Sequence, residues 1–525
     1  MDPLSAWWRV ASPWPDLPGF YTGGVRADRV GDPADAGIND LVGGLISSVR
    51  GQSYLAWHDY QIAAELHARL VGDSERPDDL LLKDGFADCA ARVSLSLCVG
   101  QGEAEKLLHR ALALRDRLPQ VAERLKIGRI TDEAVRKIVA RTDLVDGQPC
   151  AADVDRDIVA ELDLHDGAWS MHRLQAMCDR IVFRHDPDAV REARRRAKDA
   201  RRFWTRPTAD GMAQVSATMT AENALIAKAA VKALATATCE QDPRTLDQRR
   251  SDATFTLLTG NVFECLCGRE DCDAIIPEPG TAPASTVVIH VVADEGTVTG
   301  AKQNAGFIAG QGVISDEQVR DLVARPDAVI RPIVPKGTPM NPDGTYTLPA
   351  TQPANPYRPS TALDTFVRVR DGYSVIPGDP TSAFDADLDH VEEFDHEHPG
   401  AGGQTTDLNL NAKGRFGHLL KTFGDWVDEQ FRDPMTGRLR QEFITPEGLI
   451  IPGDPENLEQ LLPGLRRIRF KVPGALRDAR SAGASRAPQG SETPPTRSQS
   501  RVAAKHARRQ QERERNRRRR EEEGE

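Results

Sequence analysis

Long apolar runs are missing from this sequence. No stretch of about 18 consecutive apolar residues occurs, and that is the length a membrane-spanning helix needs. Residues 1–20 also lack the basic segment and apolar core of a signal peptide. We therefore expect a cytoplasmic protein with no membrane-embedded segment.

Cysteine is scarce, with eight in 525 residues. Several of these thiols lie in apolar helical patterns, namely Cys89, Cys98, Cys178 and Cys239. A small secreted scaffold would need a much higher density of paired cysteines. The pattern is typical of reduced, packed thiols rather than a disulfide framework.

Basic residues are outnumbered by acidic ones, and the formal net charge is −11 at pH 7. This argues against nucleic-acid binding by the average surface, since phosphate groups favour a positive field. Residues 474–525 nevertheless contain 14 Arg and Lys against 8 Asp and Glu, a net of +6, so residues 1–473 carry −17. Any nucleic-acid contact must be local, and the Arg-rich tail is either a non-specific phosphate contact or a solvated charged segment.

The residue patterns predict an α+β protein with several regions. Residues 1–35 are rich in Pro, Gly and Trp and predict an extended arm. Residues 36–340 are mostly helical to about 200 and predict a small α+β layer beyond it. A Pro-rich linker at 341–360 leads into a module at 361–473, and residues 474–525 predict a disordered charged tail.

Local signals predict individual elements within these regions. Thr131 is a predicted N-cap, followed by Asp132 and Glu133 in the first turn of a helix. The other predicted elements are a strand pair at 203–220, a helix at 220–238, a buried strand at 285–294 and a capping box from Ser315 to Gln318.

The segment 387–422 carries the densest set of reactive side chains. The pair Asp389 and His390 closes an apolar-alternating stretch, and His418 follows within a segment that predicts a short helix, NAKGRFGHLLKT. Asp389 and His418 could hold one divalent cation, while His390, pointing away from it, takes a proton from water. Acidic loops with histidines are more often only solvated surface. A second pair, Asp395 and His396, lies at a less suitable sequence distance from Asn409 and His418.

This segment resembles the HNH domain of the bacterial 13E12-repeat proteins. The resemblance covers residues 357–422, and the helical region, with GRITDEAVRKI and QRRSDATFTLL, resembles the domain of unknown function 222 that precedes the HNH endonuclease domain in that family. The resemblance implies a C-terminal ββα-metal module. It makes Asp389 and His418 metal ligands, His390 the general base, Asn409 the residue that pins the turn, and Lys421 a neutraliser of phosphate charge.

The sequence departs from this family at a structural zinc knuckle. Family members carry two Cys before the Asp-His strand and a Cys plus a His on the helix, and these positions are Ser374, Asp379, Gly414 and Gly417 here. A further common Cys is Ala386. Because a zinc site needs its N and S ligands, we expect no knuckle. An apolar cluster could replace it, drawn from Tyr373, Val375, Ile376, Phe384 and Phe416.

A second constellation is the motif ECLCGREDCD, which contains Cys265, Cys267 and Cys272. Three thiolates within eight residues are compatible with a structural zinc site. The fourth ligand would be Asp271, Asp273 or a distant residue such as His290. The alternative is a loop with three unconnected thiols.

These observations predict a metal-dependent HNH endonuclease that hydrolyses phosphodiester bonds in DNA. Mg or Mn suits an Asp/His pair that retains waters, and zinc is the other choice. The helical half would position DNA, form a homo-oligomer or bind a partner, and the sequence does not choose among these. The alternative function is a catalytically inactive, HNH-like nucleic-acid-binding or interaction protein.

Overall fold

The structure is a computed structural model of the 525-residue chain. It describes residues 37–72, 85–164, 169–208, 211–277, 288–326, 328–396, 398–400, 402–423, 426–446, 450–453, 457–471, 514 and 518. The predicted arm and nearly all of the predicted tail lie outside these residues.

The chain divides into two compact units. One unit comprises Met1–Pro187 and Leu322–Glu525, and the other comprises Asp188–Asp321. The helical region and the region around residue 390 therefore share a unit, whereas the sequence predicts a domain boundary near residue 340. Buried Arg173 shows one physical reason, because its guanidinium donates to the carbonyl oxygens of Tyr373 (3.2 Å) and Ser374 (2.9 Å).

The first unit begins with helices packed on an apolar core. Ala104, Leu108 and Ala111 are among its fully buried side chains and recur at four- and three-residue spacing. Thr131 caps the fifth helix as predicted, since its Oγ1 accepts from the Ala134 amide. The helices are α1 (Ile38–Gly72), α2 (Gly85–Leu97), α3 (Gln101–Asp116), α4 (Pro119–Lys126), α5 (Asp132–Thr142), α6 (Ala151–Asp163) and α7 (Met171–His185).

The second unit mixes helices with two small sheets. β1 pairs antiparallel with β2, and β3, β4 and β5 form an antiparallel sheet. The predicted strand pair and the predicted helix at 220–238 are confirmed. The elements are α8 (Pro187–Asp199), β1 (Arg202–Pro207), β2 (Ala213–Thr218), α9 (Ala221–Ala235), α10 (Leu246–Thr259), β3 (Val291–Val292), α11 (Glu295–Val298), β4 (Gly306–Ile308), β5 (Gly312–Ile314) and α12 (Asp316–Val323).

One local prediction in this unit needs correction. The buried strand predicted at 285–294 is wrong in extent, because only β3 is a strand and Val288 is 63% exposed. Residues 285–287 lie outside the described part. Ser315 Oγ accepts from the Gln318 amide, as the predicted capping box requires, and Nε2 of the Gln318 side chain donates to Glu222.

Residues 322–471 complete the first unit with small sheets and short helices. Residues 341–360, which the sequence predicts to be a linker, form three strands, and β6 pairs in parallel with β14. The elements are β6 (Tyr346–Pro349), β7 (Thr351–Gln352), β8 (Asn355–Pro359), α13 (Thr361–Asp371), β9 (Asp387–His390), β10 (Leu410–Lys413), α14 (Arg415–Phe423), β11 (Val427–Arg432), β12 (Leu439–Ile444), β13 (Ile450–Pro452) and β14 (Ile468–Lys471).

The molecule thus mixes helix and strand, with a mostly helical region first and several small sheets after it. None of the described helices combines the length and apolarity needed to cross a membrane.

Candidate functional site

The candidate site lies on two antiparallel strands and the helix that follows them. β9 pairs with β10 so that His390 is opposite Leu410 and Asp389 is opposite Asn411. Side chains alternate along a strand, so Asp389 and His390 project from opposite faces. After β10 one residue separates the strand from α14, which carries His418.

Two carboxylates flank the imidazole of His418. Its Nδ1 lies 3.0 Å from Asp387 Oδ2, and its Nε2 lies 3.8 Å from Asp389 Oδ1. The structure therefore brings the two predicted metal ligands together and adds Asp387, which the sequence analysis leaves out. The His418 contact and the neighbouring Arg415 lower the pKa of Asp387, so it is anionic at neutral pH.

Two lysine side chains lie on the other side of Asp389. Lys413 Nζ is 2.9 Å from Asp389 Oδ2 and 2.8 Å from Asp428 Oδ2. Lys421 Nζ is 3.1 Å from Asp389 Oδ2 and 3.1 Å from Asp428 Oδ1. Burial raises the pKa of Asp389, but the two ammonium groups outweigh it and hold that pKa well below its ordinary value. Asp389 is thus an anion whose Oδ2 faces two cations.

Lys421 has a different position from the one its predicted role requires. It is buried, and its ammonium also donates to the backbone carbonyl oxygens of His390 and Val391. Contact with an incoming phosphate does not fit this placement, because the ammonium is enclosed by acceptors of the protein. Lys421 instead ties α14 to the end of β9.

His390 is almost enclosed, with 7% of its surface exposed. Its Nε2 lies 2.9 Å from the hydroxyl of Thr405, and its ring stacks on Tyr357 with centroids 5.1 Å apart. Desolvation by burial lowers the pKa of His390 to about 4. The imidazole is therefore neutral at pH 7 and able to accept a proton.

Asn409 holds the chain immediately after His390. Its amide donates to the carbonyl oxygens of Glu392 (3.0 Å) and Gln404 (2.9 Å), and its Oδ1 accepts from the Glu392 amide (2.8 Å). The side chain bridges both ends of the loop between β9 and β10.

The second Asp-His pair lies in the loop between β9 and β10. His396 packs on Tyr357 and Phe394, with ring centroids 4.7 and 5.2 Å apart. It therefore belongs to the aromatic group that covers His390. His398 is exposed in the same loop, with its Nδ1 3.8 Å from Asp395 Oδ2.

The positions that correspond to the zinc knuckle are filled by other contacts. Ser374 Oγ accepts from the Gly414 amide at 3.1 Å. A Cβ at Gly414 would lie 2.0 Å from Asp379 Oδ2, and a Cβ at Gly417 would lie 2.4 Å from Ile376 Cγ1. A hydroxyl, a carboxylate and an aliphatic side chain thus occupy the space beside two glycines.

The predicted apolar cluster is only partly present at these positions. Tyr373 and Val375 are buried, but Phe416 is 74% exposed and does not contribute. Ala386 packs in a small core with Ala383 and Ala412.

Four cysteines meet in the second unit. Cys239, Cys265, Cys267 and Cys272 place their sulfur atoms within 4.8 Å of one another, and Sγ of Cys239 is 3.5 Å from Sγ of Cys265. The fourth member is Cys239 from the segment after α9, rather than Asp271, Asp273 or His290. A backbone N–H bond from Arg269 lowers the pKa of Cys267.

Five residues of the two sites are missing from the sequence-based prediction. Asp387 and Lys413 could be found from the sequence pattern, because side chains alternate along paired strands and both therefore lie on the face of Asp389. The others come from distant segments without a local pattern, namely Cys239, Thr405 and Asp428.

The fold and the site define a helical protein with a ββα unit that carries an Asp-His-Asp arrangement. A family model described as "Domain of unknown function (DUF222)" matches residues 59–371. The chain belongs to this family. The matched range ends before the ββα unit begins at Asp387.

Relatives from Mycobacterium tuberculosis extend the similarity along the chain. "Uncharacterized protein Rv3776" of strain ATCC 25618 / H37Rv is 32% identical over 405 residues, which are 70% of this chain and 71% of that protein. "Uncharacterized protein Rv2100" of the same strain is 31% identical over 436 residues, 77% of this chain and 76% of that protein. No solved structure matches the chain.

Proposed function

We propose that the protein is a metal-dependent endonuclease of the HNH type, as in the 13E12-repeat proteins, that hydrolyses phosphodiester bonds in DNA. One observation carries this proposal. Nδ1 of His418 lies 3.0 Å from Asp387 Oδ2 and Nε2 lies 3.8 Å from Asp389 Oδ1, so in the neutral tautomer that donates to Asp387 the lone pair of Nε2 faces a carboxylate oxygen. A lone pair facing an anionic oxygen is unfavourable unless a cation joins them, and a carboxylate behind a histidine commonly supports a metal ligand.

Asp389 and His418 would hold the divalent cation, with Asp387 orienting the imidazole. One carboxylate and one imidazole suit Mg or Mn with retained waters, and zinc is the alternative. The cation would stabilise negative charge that develops on the phosphate and on the leaving oxygen.

His390 would accept the proton of the attacking water. The Thr405 hydroxyl donates to the carbonyl oxygens of Pro356 (2.7 Å) and Tyr357 (3.2 Å), so its oxygen accepts from the Nε2–H of His390. This assigns the free lone pair to Nδ1. Because the pKa of His390 is lowered to about 4, that lone pair is unprotonated at neutral pH.

Arg415 is the better candidate for contact with DNA phosphate than Lys421. It is the first residue of α14, its side chain is 74% exposed, and it lies 3.1 Å from Asp387. An exposed guanidinium beside the carboxylates can donate to a phosphate without breaking a buried ion pair.

A second candidate function is a catalytically inactive protein that keeps this unit to bind nucleic acid or a partner. It is favoured by the lysines beside Asp389, whose ammonium groups already neutralise Oδ2, and by the 7% exposure of His390. In that case the ion pairs would replace the cation as the stabilising element.

Nicking of supercoiled plasmid by the full chain separates the two candidates. We expect open-circular product with Mn²⁺ or Mg²⁺ and none with EDTA. A gel-shift measurement on the same samples tests DNA binding. Binding without cleavage under Mg²⁺, Mn²⁺ and Zn²⁺ would favour the second candidate.

A further inference from the structure

The four-cysteine group of the second unit has the dimensions of a metal site. Its members are Cys239, Cys265, Cys267 and Cys272, and all their sulfurs lie within 4.8 Å of one another. Zinc–sulfur bonds of about 2.3 Å in a tetrahedron place sulfur atoms roughly 3.8 Å apart. The 3.5 Å separation of Cys239 and Cys265 is close to that edge and far longer than a disulfide bond.

Backbone N–H groups point at three of these sulfurs. Cys239 accepts from Gln241, Cys267 from Arg269, and Cys272 from Ala274, each donor lying two residues after its cysteine. Gly268 has φ of +68°, a conformation that turns the chain tightly after Cys267. Such N–H bonds fix the positions of the sulfur atoms that would bind the metal.

A second layer of contacts holds the cysteine-bearing segments together. Asp242 accepts from the guanidinium of Arg244 and from the Leu266 amide at 3.1 Å. Arg244 also donates to the Glu264 carbonyl oxygen at 2.7 Å. The segment after α9 and the segment after α10 are therefore fixed relative to each other on both sides of the sulfur atoms.

The apolar core beneath this segment is small. It consists of Leu234, Ala235, Ala253 and Phe263, with partly buried residues against it. A core of this size gives little stabilisation, and small folds with little core commonly rely on a bound metal.

We propose that these four cysteines bind one zinc ion as a closed tetrathiolate site that stabilises the second unit. Four protein ligands leave no open position for substrate or water, so the site is structural rather than catalytic. Zinc would join the end of α9 to the loop after α10. This site is independent of the proposed nuclease function.

Metal analysis of the full chain, purified under reducing conditions, tests the site. We expect about one zinc per chain in the wild type and in Cys150→Ser, a matched control whose partly exposed cysteine lies outside the group. Cys239→Ser should lose at least tenfold in zinc affinity. Full zinc affinity in Cys239→Ser, or a wild type without zinc, would overturn the proposal.

Two measurements on the wild type keep the test valid if the variant misfolds. Co²⁺ added to the metal-depleted chain should give the absorption of a tetrahedral cobalt–thiolate site. A chelator should expose four additional thiols to a thiol reagent. Absence of the cobalt–thiolate absorption, or no gain in reactive thiols, would contradict the site, as would a disulfide between Cys239 and Cys265 in the reduced preparation.

Discussion

At the scale of single residues, Asp387 determines what His418 can do. A neutral imidazole presents one N–H and one lone pair, and the partner of the first decides where the second points. When Nδ1 donates to Asp387, the lone pair of Nε2 is directed at Asp389. In the proposed site, Asp387 would orient a metal ligand without touching the metal.

This arrangement predicts that Asp387→Asn weakens Mn²⁺ binding about 10- to 100-fold, because a supporting carboxylate typically contributes that much. Equilibrium titration with Mn²⁺ measures the effect. Arg415→Gln is the matched control, since it removes the other partner of Asp387 and leaves the contact to His418. Equal Mn²⁺ affinity in Asp387→Asn and wild type would show that Asp387 does not orient the ligand.

The buried His390 and the partly buried His172 predict acid sensitivity of the fold. Burial lowers the pKa of His390 and of His172 from 6.5 to about 4. Below pH 6.5 the unfolded chain binds these protons and the folded chain does not. Their stabilisation is therefore complete above pH 6.5 and is lost as the pH falls toward 4.

Thermal unfolding of wild type and His390→Gln at several pH values tests this sign. The melting temperature of the wild type should fall further between pH 6.5 and pH 4 than that of the variant, because glutamine does not titrate. Identical pH profiles would mean that His390 is not neutral and buried in the folded protein.

At the scale of elements, other side chains occupy the positions of the β9–β10–α14 unit at which the HNH resemblance implies zinc-knuckle ligands. Ser374 and Asp379 contact Gly414, and Ile376 packs on Gly417. Both glycines are required by close approach rather than by turn geometry. A methyl group at either position would enter a space that another side chain fills.

Gly417→Ala is therefore expected to destabilise the protein by roughly 1–3 kcal/mol, the usual cost of overpacking. Gly102→Ala is the matched control, because Gly102 lies in α3 with open space around it, and alanine there should stabilise by roughly 0.5–1 kcal/mol. Denaturant unfolding measures both. Adding Ile376→Ala should recover part of the loss, and a Gly417→Ala protein as stable as the control would rule out the close contact.

The same unit shows how far a sequence can predict this structure. Alternation places Asp389 and His390 on opposite faces, and the helix that carries His418 was expected. The sequence predicts that Asn411 and Lys413 belong to the short helix, but both lie in β10. Hydrogen bonds to β9 outweigh the local helical propensity. Thr405 and Cys239 reach their sites through tertiary packing, which leaves no periodic signal.

At the scale of the whole molecule, the acidic average charge means that the proposed DNA binding would be confined to a local basic segment. The predicted tail at 474–525 carries a net charge of +6 and contains none of the candidate catalytic groups. Deleting it should weaken DNA binding and flatten the salt dependence of the binding constant, with cleavage retained. Binding measured across a salt series checks this, and an unchanged slope would mean that the tail does not contact DNA.

The central claim is that His390 acts as the base of a metal-dependent nuclease, and single-turnover DNA cleavage with Mn²⁺ tests it most directly. His390→Ala should cleave on the order of 100-fold more slowly or worse, while binding Mn²⁺ and DNA nearly as well as wild type. Asp389→Ala and His418→Ala should instead lose metal affinity and recover partly with excess Mn²⁺. The exposed His398→Ala is the matched control and should cleave like wild type, and His396→Ala should be nearly silent. Wild-type cleavage by His390→Ala, or equal damage from His396→Ala, would contradict this assignment.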